Sequence, residues 1–166
     1  MLNVTDAVAS LETYLRQEGL KFTQQRRLIT EVFFDPDLRE EHPSTEDLYL
    51  RVRAKDGRIG YATVYRTLKL LVDAGLANPT RFGDRQVRYE PEIPGEHHDH
   101  LVCQECGAVL EFEEAAIEGL QEAVAARFGF ALTDHKMVLY GKPKGDCDPA
   151  ICKRQETTTR VGRHRG

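Results

Sequence analysis

A chain of 166 residues, 40% of them apolar, is long enough to bury one sizeable core or two small ones, so disorder is excluded as its default state. Its 23 Lys and Arg against 27 Asp and Glu leave a formal charge of −4, which argues against wholesale coating of nucleic acid and moves the question to where the charges sit. No apolar run reaches the roughly 18–20 residues that span a bilayer, and the amino terminus, MLNVTDAVASLETYL, lacks the basic-then-apolar order of an export signal. The expectation is an unprocessed cytoplasmic protein with no membrane partner.

Helical periodicity opens the chain. Val4, Val8, Leu11 and Leu15 recur at helix spacing, and Gly19 stands where that helix would stop. A second helix is predicted over about 23–34, with Leu28, Val32 and Phe33 inward and the DPD at 35–37 ending it. The third follows HPS, with Ser44 as N-cap, Glu46 and Asp47 in the first turn, and Leu48 and Val52 on one face. A fourth, YATVYRTLKLLVDAG, lines up Val64, Leu68, Leu71 and Val72 and closes at Gly75. The period then changes to two: β-prone runs flank Gly83-Asp84, a pair suited to a hairpin turn, and Arg81, Arg85 and Arg88 lie along them. Four helices followed by a small basic hairpin match a winged helix-turn-helix.

The EPEIPGE stretch reads as a hinge. Beyond it, two strands flank a tight Cys-x-x-Cys-Gly turn, an amphipathic helix ends at Gly129, and FALTDHKMVLYGK reads as a strand. The fold expected is therefore α+β, with a winged-helix domain over residues 1–90, a hinge over 91–96, a small α/β domain over 97–152 and a disordered tail over 153–166. Residues 1–90 hold fourteen basic and fourteen acidic side chains and residues 91–166 nine and thirteen, so the acidity belongs to the second domain. So small a domain must still bury an apolar face, which points to a partner subunit.

The four cysteines form two local pairs, Cys103/Cys106 and Cys147/Cys152, in a chain without an export signal, where metal thiolates or redox chemistry are expected over structural disulfides. Two thiolates three positions apart can turn onto one Zn2+, and Gly107 after the second tolerates positive φ. Cys147 and Cys152 could complete a tetrahedral structural zinc site. The rival is a thioredoxin-like redox pair; that motif opens a helix, whereas a strand-like AVLEF follows here.

The run His97-His98-Asp99-His100 yields to strand geometry. If extended, it sends His97 and Asp99 one way and His98 and His100 the other, so one segment can serve two metal sites. Imidazole with carboxylate suits Fe2+, Zn2+ or Mn2+, but each pair needs partners from elsewhere. Candidates are His42 before the third helix, Glu90 at the end of the wing, Glu111, Glu118 on the last helix and His135 in the last strand. Taken singly, each is more often an ordinary surface or satisfied polar residue. The polar side of the fourth helix presents Thr63, Arg66 and Lys69 with Tyr65 at its margin, a set that can contact phosphates, base edges or a thymine methyl in the major groove. A merely solvated basic face is the bland alternative.

Together GLKFTQQR, HPSTEDLY, GYATVYRTLKLLVDAGL, YEPE, HHDHLVCQECGAVLEF, IEGLQEAVAARFGF and LTDHKMVLYG resemble the ferric uptake regulator family, in register from about Gly19 to Gly141. No single motif carries the match. The resemblance implies a metal-responsive repressor that binds palindromic double-stranded operator DNA as a homodimer, or as a tetramer, to control metal-uptake genes. It implies one metal site from His97, Asp99, Glu118 and His135, and a regulatory one from His42, Glu90, His98 and His100 with Glu111 close by. It makes Cys103 and Cys106 a structural zinc pair, Lys21 a minor-groove contact, and Tyr65 and Arg66 major-groove contacts. One departure stands out: family members with a second cysteine pair place its first cysteine soon after the LYG strand, whereas LYGKPKGDCDPAIC delays it to Cys147.

Glu90, where the peroxide-sensing branch tends to carry aspartate, and the intact HHDH favour Fe2+ as the regulatory metal. The zinc-sensing branch puts a cysteine into that site, and none of the four here is placed for it. Peroxide, Zn2+ or Mn2+ sensing remain the alternatives within the family. From other classes stand a His/Asp metallohydrolase, which needs an open coordination position where up to four protein ligands are available, and a zinc-storage or scaffold protein, which leaves the fourth helix unexplained. No enzymatic activity is expected.

Overall fold

The structure, a computed structural model, describes residues 3–36, 42–81, 86–92, 97–148 and 152. The chain divides into two compact units, Met1–Gly95 and Glu96–Gly166. No helix among the described residues is long and apolar enough to cross a membrane.

In the first unit, α1 (Val4–Gln17) is capped by Asn3, whose side chain accepts from the Asp6 amide at 2.9 Å. It buries Ala7, Val8, Leu11 and Leu15, and it ends where Gly19, at φ 68°, lets its amide and that of Leu20 return to the carbonyls of Arg16 and Leu15. Thr23 caps α2 (Gln24–Phe33), which buries Ile29, Thr30, Val32 and Phe33. Leu28, expected inward, is only half-buried because the stripe runs one position later, through Ile29. Ser44 opens α3 (Thr45–Lys55) in a capping box: its hydroxyl accepts from the Asp47 amide at 3.1 Å and the Asp47 carboxylate accepts from the Ser44 amide at 2.9 Å. In the turn after α3 the Arg58 guanidinium and amide donate to Asp56 and hold its carboxyl down at about 2. α4 (Tyr61–Asp73) buries Val64, Thr67, Leu68 and Leu71, while Val72 is half-buried.

The period-two runs form an antiparallel ribbon of β1 (Ala77–Arg81) and β2 (Val87–Pro91), with Ala77 opposite Pro91 and Arg81 opposite Val87. The turn pair Gly83-Asp84, Arg85, hinge residues 93–96 and the tail over 153–166 lie outside the described residues. One core of Leu11, Leu15, Ile29, Phe34, Leu48, Val52, Leu68 and Leu71 joins the helices, with Tyr89 of β2 packed into it. Each fully buried aliphatic there contributes roughly 1.5–3 kcal/mol relative to exposure, so the helical scaffold is fixed by packing and not by propensity alone.

The second unit is built on β3 (Asp99–Cys103), the central strand of three. It runs antiparallel to β4 (Val109–Phe112) and parallel to β5 (Val138–Gly141), and α5 (Ala115–Arg127) lies in the long connection that a parallel neighbour requires. The single strand expected over FALTDHKMVLYGK is shorter: only Val138–Gly141 is paired, so His135 lies in the irregular segment that enters the strand. The reason is register. β3 begins at Asp99 and its ladder with β5 begins at His100 opposite Val138, which leaves residues before Met137 no strand to pair with. α5 differs from expectation too: it buries none of its side chains, and Leu120 and Val124 are 66% and 48% exposed.

Candidate metal centres

The Cys103–Gly107 turn is made by short-range bonds. The Cys103 amide donates to the Ala108 carbonyl and the Gly107 amide to the Cys103 carbonyl, both at 2.9 Å, with Gly107 at φ 76°. Parallel pairing sets Gly141 opposite Cys103, and the Gln104 amide donates to the Gly141 carbonyl. The chain leaving β5 therefore starts beside the first cysteine, and a short excursion returns Cys147 to it. Cys147 Sγ stands 3.7 Å from Cys103 Sγ, and all four sulfurs, Cys152 included, lie within 4.8 Å of one another. Tetrahedral zinc with bonds of about 2.3 Å would set its sulfurs about 3.8 Å apart, so the observed spacing fits that ion. The backbone N–H of Cys106 leads the hydrogen bonds that lower Cys103 to about 7, while desolvation, followed by the neighbouring sulfurs, pushes Cys147 up to about 12 and Cys152 to about 11. Filling the site at neutral pH thus expels protons, and its metal affinity falls as pH falls.

On the same sheet, alternation along β3 separates two further groups. His97, Asp99, Glu118 from the first turn of α5, and His135 bring donor atoms within 4.8 Å of one another. His97 Nε2 is 3.6 Å from Asp99 Oδ1 and 3.4 Å from Glu118 Oε1, and His135 Nε2 is 3.3 Å from Glu118 Oε2. Yet both oxygens of Asp99, Oε1 of Glu118 and Nε2 of His135 are buried without a hydrogen-bond partner. Atoms so close but not bonded to one another share a focus. Tetrahedral ligands about 2.0–2.2 Å from one ion stand roughly 3.3–3.6 Å apart, close to what is seen. Asp99 is 1% exposed, and a buried carboxylate lacking bonds is costly unless a cation completes it. Asp99→Asn is therefore expected to raise the melting temperature of metal-free protein, by the equivalent of roughly 1–3 kcal/mol, and to erase the rise that added metal gives wild type. Calorimetric melts with and without metal check this; a destabilised metal-free variant would contradict it.

His98 and His100 face the other side, with ring centroids 5.1 Å apart and His98 Nε2 3.8 Å from Glu111 Oε1 of β4. His100 sits opposite Glu111 in the antiparallel register. In the first unit, His42 is buried just before α3 and its Nε2 lies 3.2 Å from Glu90 Oε2 on β2. Two residues not singled out as site members also draw notice. Gln121, one helical turn beyond Glu118, has a buried Oε1 without a hydrogen-bond partner, and the i,i+3 spacing was the available signal. Arg88, read only as wing charge, donates to the His42 carbonyl at 3.1 Å.

On α4, Tyr65 is 45% exposed, Arg66 and Lys69 are exposed, and Thr63 is half-buried. Lys21 is exposed before α2, its carbonyl accepting from Arg26, and Arg81 is exposed on β1. A helix whose apolar stripe is anchored in the core thus presents a tyrosine and two cations outward.

The model of the ferric uptake regulator family matches residues 17–140. This chain belongs to the ferric uptake regulator family. It is 44% identical over 140 residues to the ferric uptake regulation protein of Rhizobium leguminosarum bv. viciae, covering 84% of this chain and 96% of that one. Among solved structures, the Helicobacter pylori ferric uptake regulator, described as having three functional metal binding sites, superposes at a TM-score of 0.77 with 27% identity, over 86% of this chain and 92% of the other. A zinc-bound manganese uptake regulator reaches a TM-score of 0.62 with 44% identity, over 81% of this chain and 98% of that one. As a ferric uptake regulator family member, the chain is a metal-responsive transcription regulator of α+β fold.

Proposed function

We propose that the chain is a cytoplasmic, Fe2+-responsive repressor that binds palindromic operators as a homodimer and carries a structural zinc on Cys103, Cys106, Cys147 and Cys152. The observation that carries the reading is the two-sided use of β3: His97 and Asp99 converge with Glu118 and His135, while His98 and His100 gather with Glu111 on the other face. The regulatory site would draw His42 and Glu90 from the first unit and His98, His100 and Glu111 from the second. Its donors are nitrogen and oxygen only, a set suited to Fe2+ or Mn2+ and lacking the thiolate that favours zinc. Mn2+ is the second reading, supported by the 44% identity to a manganese uptake regulator.

When bound, a divalent ion would supply the bonds that favour one arrangement of those donors over others. With ligands drawn from both units, as the proposed site requires, restraining them would restrain α4 of each subunit, and differential affinity for that arrangement would shift the population. Tyr65 and Arg66, with Thr63, would then read base edges while Lys21 holds the backbone in the minor groove. Dimerisation is supported by apolar surface on the second unit: Leu120, Phe128 and Phe130 are 66%, 68% and 72% exposed, more than a small domain leaves uncovered. A closed set of protein ligands without an open position argues for a sensor over a hydrolase.

Charge reversal at Arg66 separates this from a storage or scaffold role. Arg66→Glu should lower affinity for metal-loaded operator binding at least about tenfold, or about 1.4 kcal/mol, with metal content unchanged. Fluorescence anisotropy on operator DNA reads it, and unaltered binding would return α4 to a solvated face.

A further inference from the structure

Arg88 is the unexpected residue of the wing. His42 has a left-handed backbone, φ 41°, and it precedes Pro43, a position that favours extended geometry instead. Such a conformation persists only where its surroundings hold it. Here the surroundings are one strand. The Tyr89 amide donates to the Pro43 carbonyl at 2.9 Å, Ser44 forms a bridge with Arg88, and the Ser44–Asp47 capping box fixes the start of α3 immediately after. Residues 88 and 90 share one face of β2, and each takes one end of His42: Arg88 Nη1 donates to its carbonyl at 3.1 Å, and Glu90 Oε2 lies 3.2 Å from its imidazole.

We infer that Arg88 is a positioning residue for metal sensing, holding the strained His42 peptide so that the imidazole meets Glu90 where an ion can use both. This rests on the proposed regulatory role of His42 and Glu90. Arg88 touches no ion; it acts through the backbone of a ligand and ties the wing strand to the start of α3. A planar guanidinium suits the task because it reaches a carbonyl while its charge stays half-exposed.

The test uses the full-length protein and Mn2+, which avoids oxidation of Fe2+. Mn2+ is titrated by calorimetry without DNA, and operator affinity is measured at saturating Mn2+. Arg88→Met should shift one Mn2+ binding event to about tenfold higher concentration, as loss of a group orienting a ligand does, and leave other binding events and operator affinity at saturation unchanged. Arg88→Gln, which keeps a neutral donor, should shift less, and it decides in the same way if Arg88→Met does not fold. A wild-type titration in the variants overturns the inference. So does weakened operator binding at saturating Mn2+ with an unshifted titration, which would make Arg88 a DNA contact. If wild type itself shows no Mn2+ event that His42→Ala removes, the regulatory site fails first and takes the inference with it; if wild type shows that event and Arg88→Met leaves it in place, only the inference fails.

Discussion

Cys103→Ser should strip the chain of its thiolate-bound zinc and, with it, the order of the second unit. Metal counting should fall from about one such zinc per chain to near zero, since three remaining sulfurs no longer close a tetrahedron. Cys103 is the buried end of β3, its amide and carbonyl close the Cys-x-x-Cys turn, and its sulfur is 3.7 Å from Cys147. A zinc held by these thiolates would tie the sheet to the chain after β5. Structural zinc in small domains contributes on the order of 10–16 kcal/mol of apparent binding free energy, more than a 70-residue unit can replace by packing. Dimerisation should be lost together with the zinc, because the exposed Leu120 and Val124 lie on a helix of that same unit that no described residue buries. Size-exclusion chromatography with metal analysis checks both; an unchanged dimer with full zinc would remove these thiols from a structural role.

The second large effect concerns the other face of β3. His98→Ala with His100→Ala should reduce the metal-induced gain in operator affinity at least about tenfold while leaving zinc content and secondary structure as in wild type. Both side chains lie near Glu111 and away from the sulfurs, so the substitution separates sensing from folding. Anisotropy titrations with and without Fe2+, run anaerobically, measure the gain. Metal activation equal to wild type would exclude the pair from sensing.

The helical unit was legible because its signals are local: the 3.6-residue stripe of Val64, Leu68 and Leu71, and the Ser44–Asp47 cap, need no knowledge of distant chain. The split of His97/Asp99 from His98/His100 was legible for the same reason, following from the period of a strand. What faces each pair was not. Glu118 and His135 reach Asp99 from a helix and an irregular segment, and no periodicity reports that; the family resemblance supplied those partners. His135 was placed in a strand because its flanks are β-prone, whereas β3 sets where pairing can start. Leu120 and Val124 of α5 stay exposed because no described residue of its unit covers them. The delayed second cysteine pair looked anomalous in sequence and is explained by β5, which delivers the chain beside Cys103. Arg88 carried no signal at all, since a contact to a backbone carbonyl 46 positions away leaves no trace in residue order.

Metal-dependent operator binding tests the central claim most directly. Zinc-loaded, iron-free protein is titrated onto operator DNA under anaerobic conditions with Fe2+, Mn2+ and Zn2+ in separate runs, and bound metal per subunit is counted at each point. Fe2+ should tighten operator binding by about tenfold or more as roughly one further ion per subunit fills the His and Glu donors, each tenfold step corresponding to about 1.4 kcal/mol of coupling. Operator affinity indifferent to all three ions, at full occupancy of those donors, would contradict it.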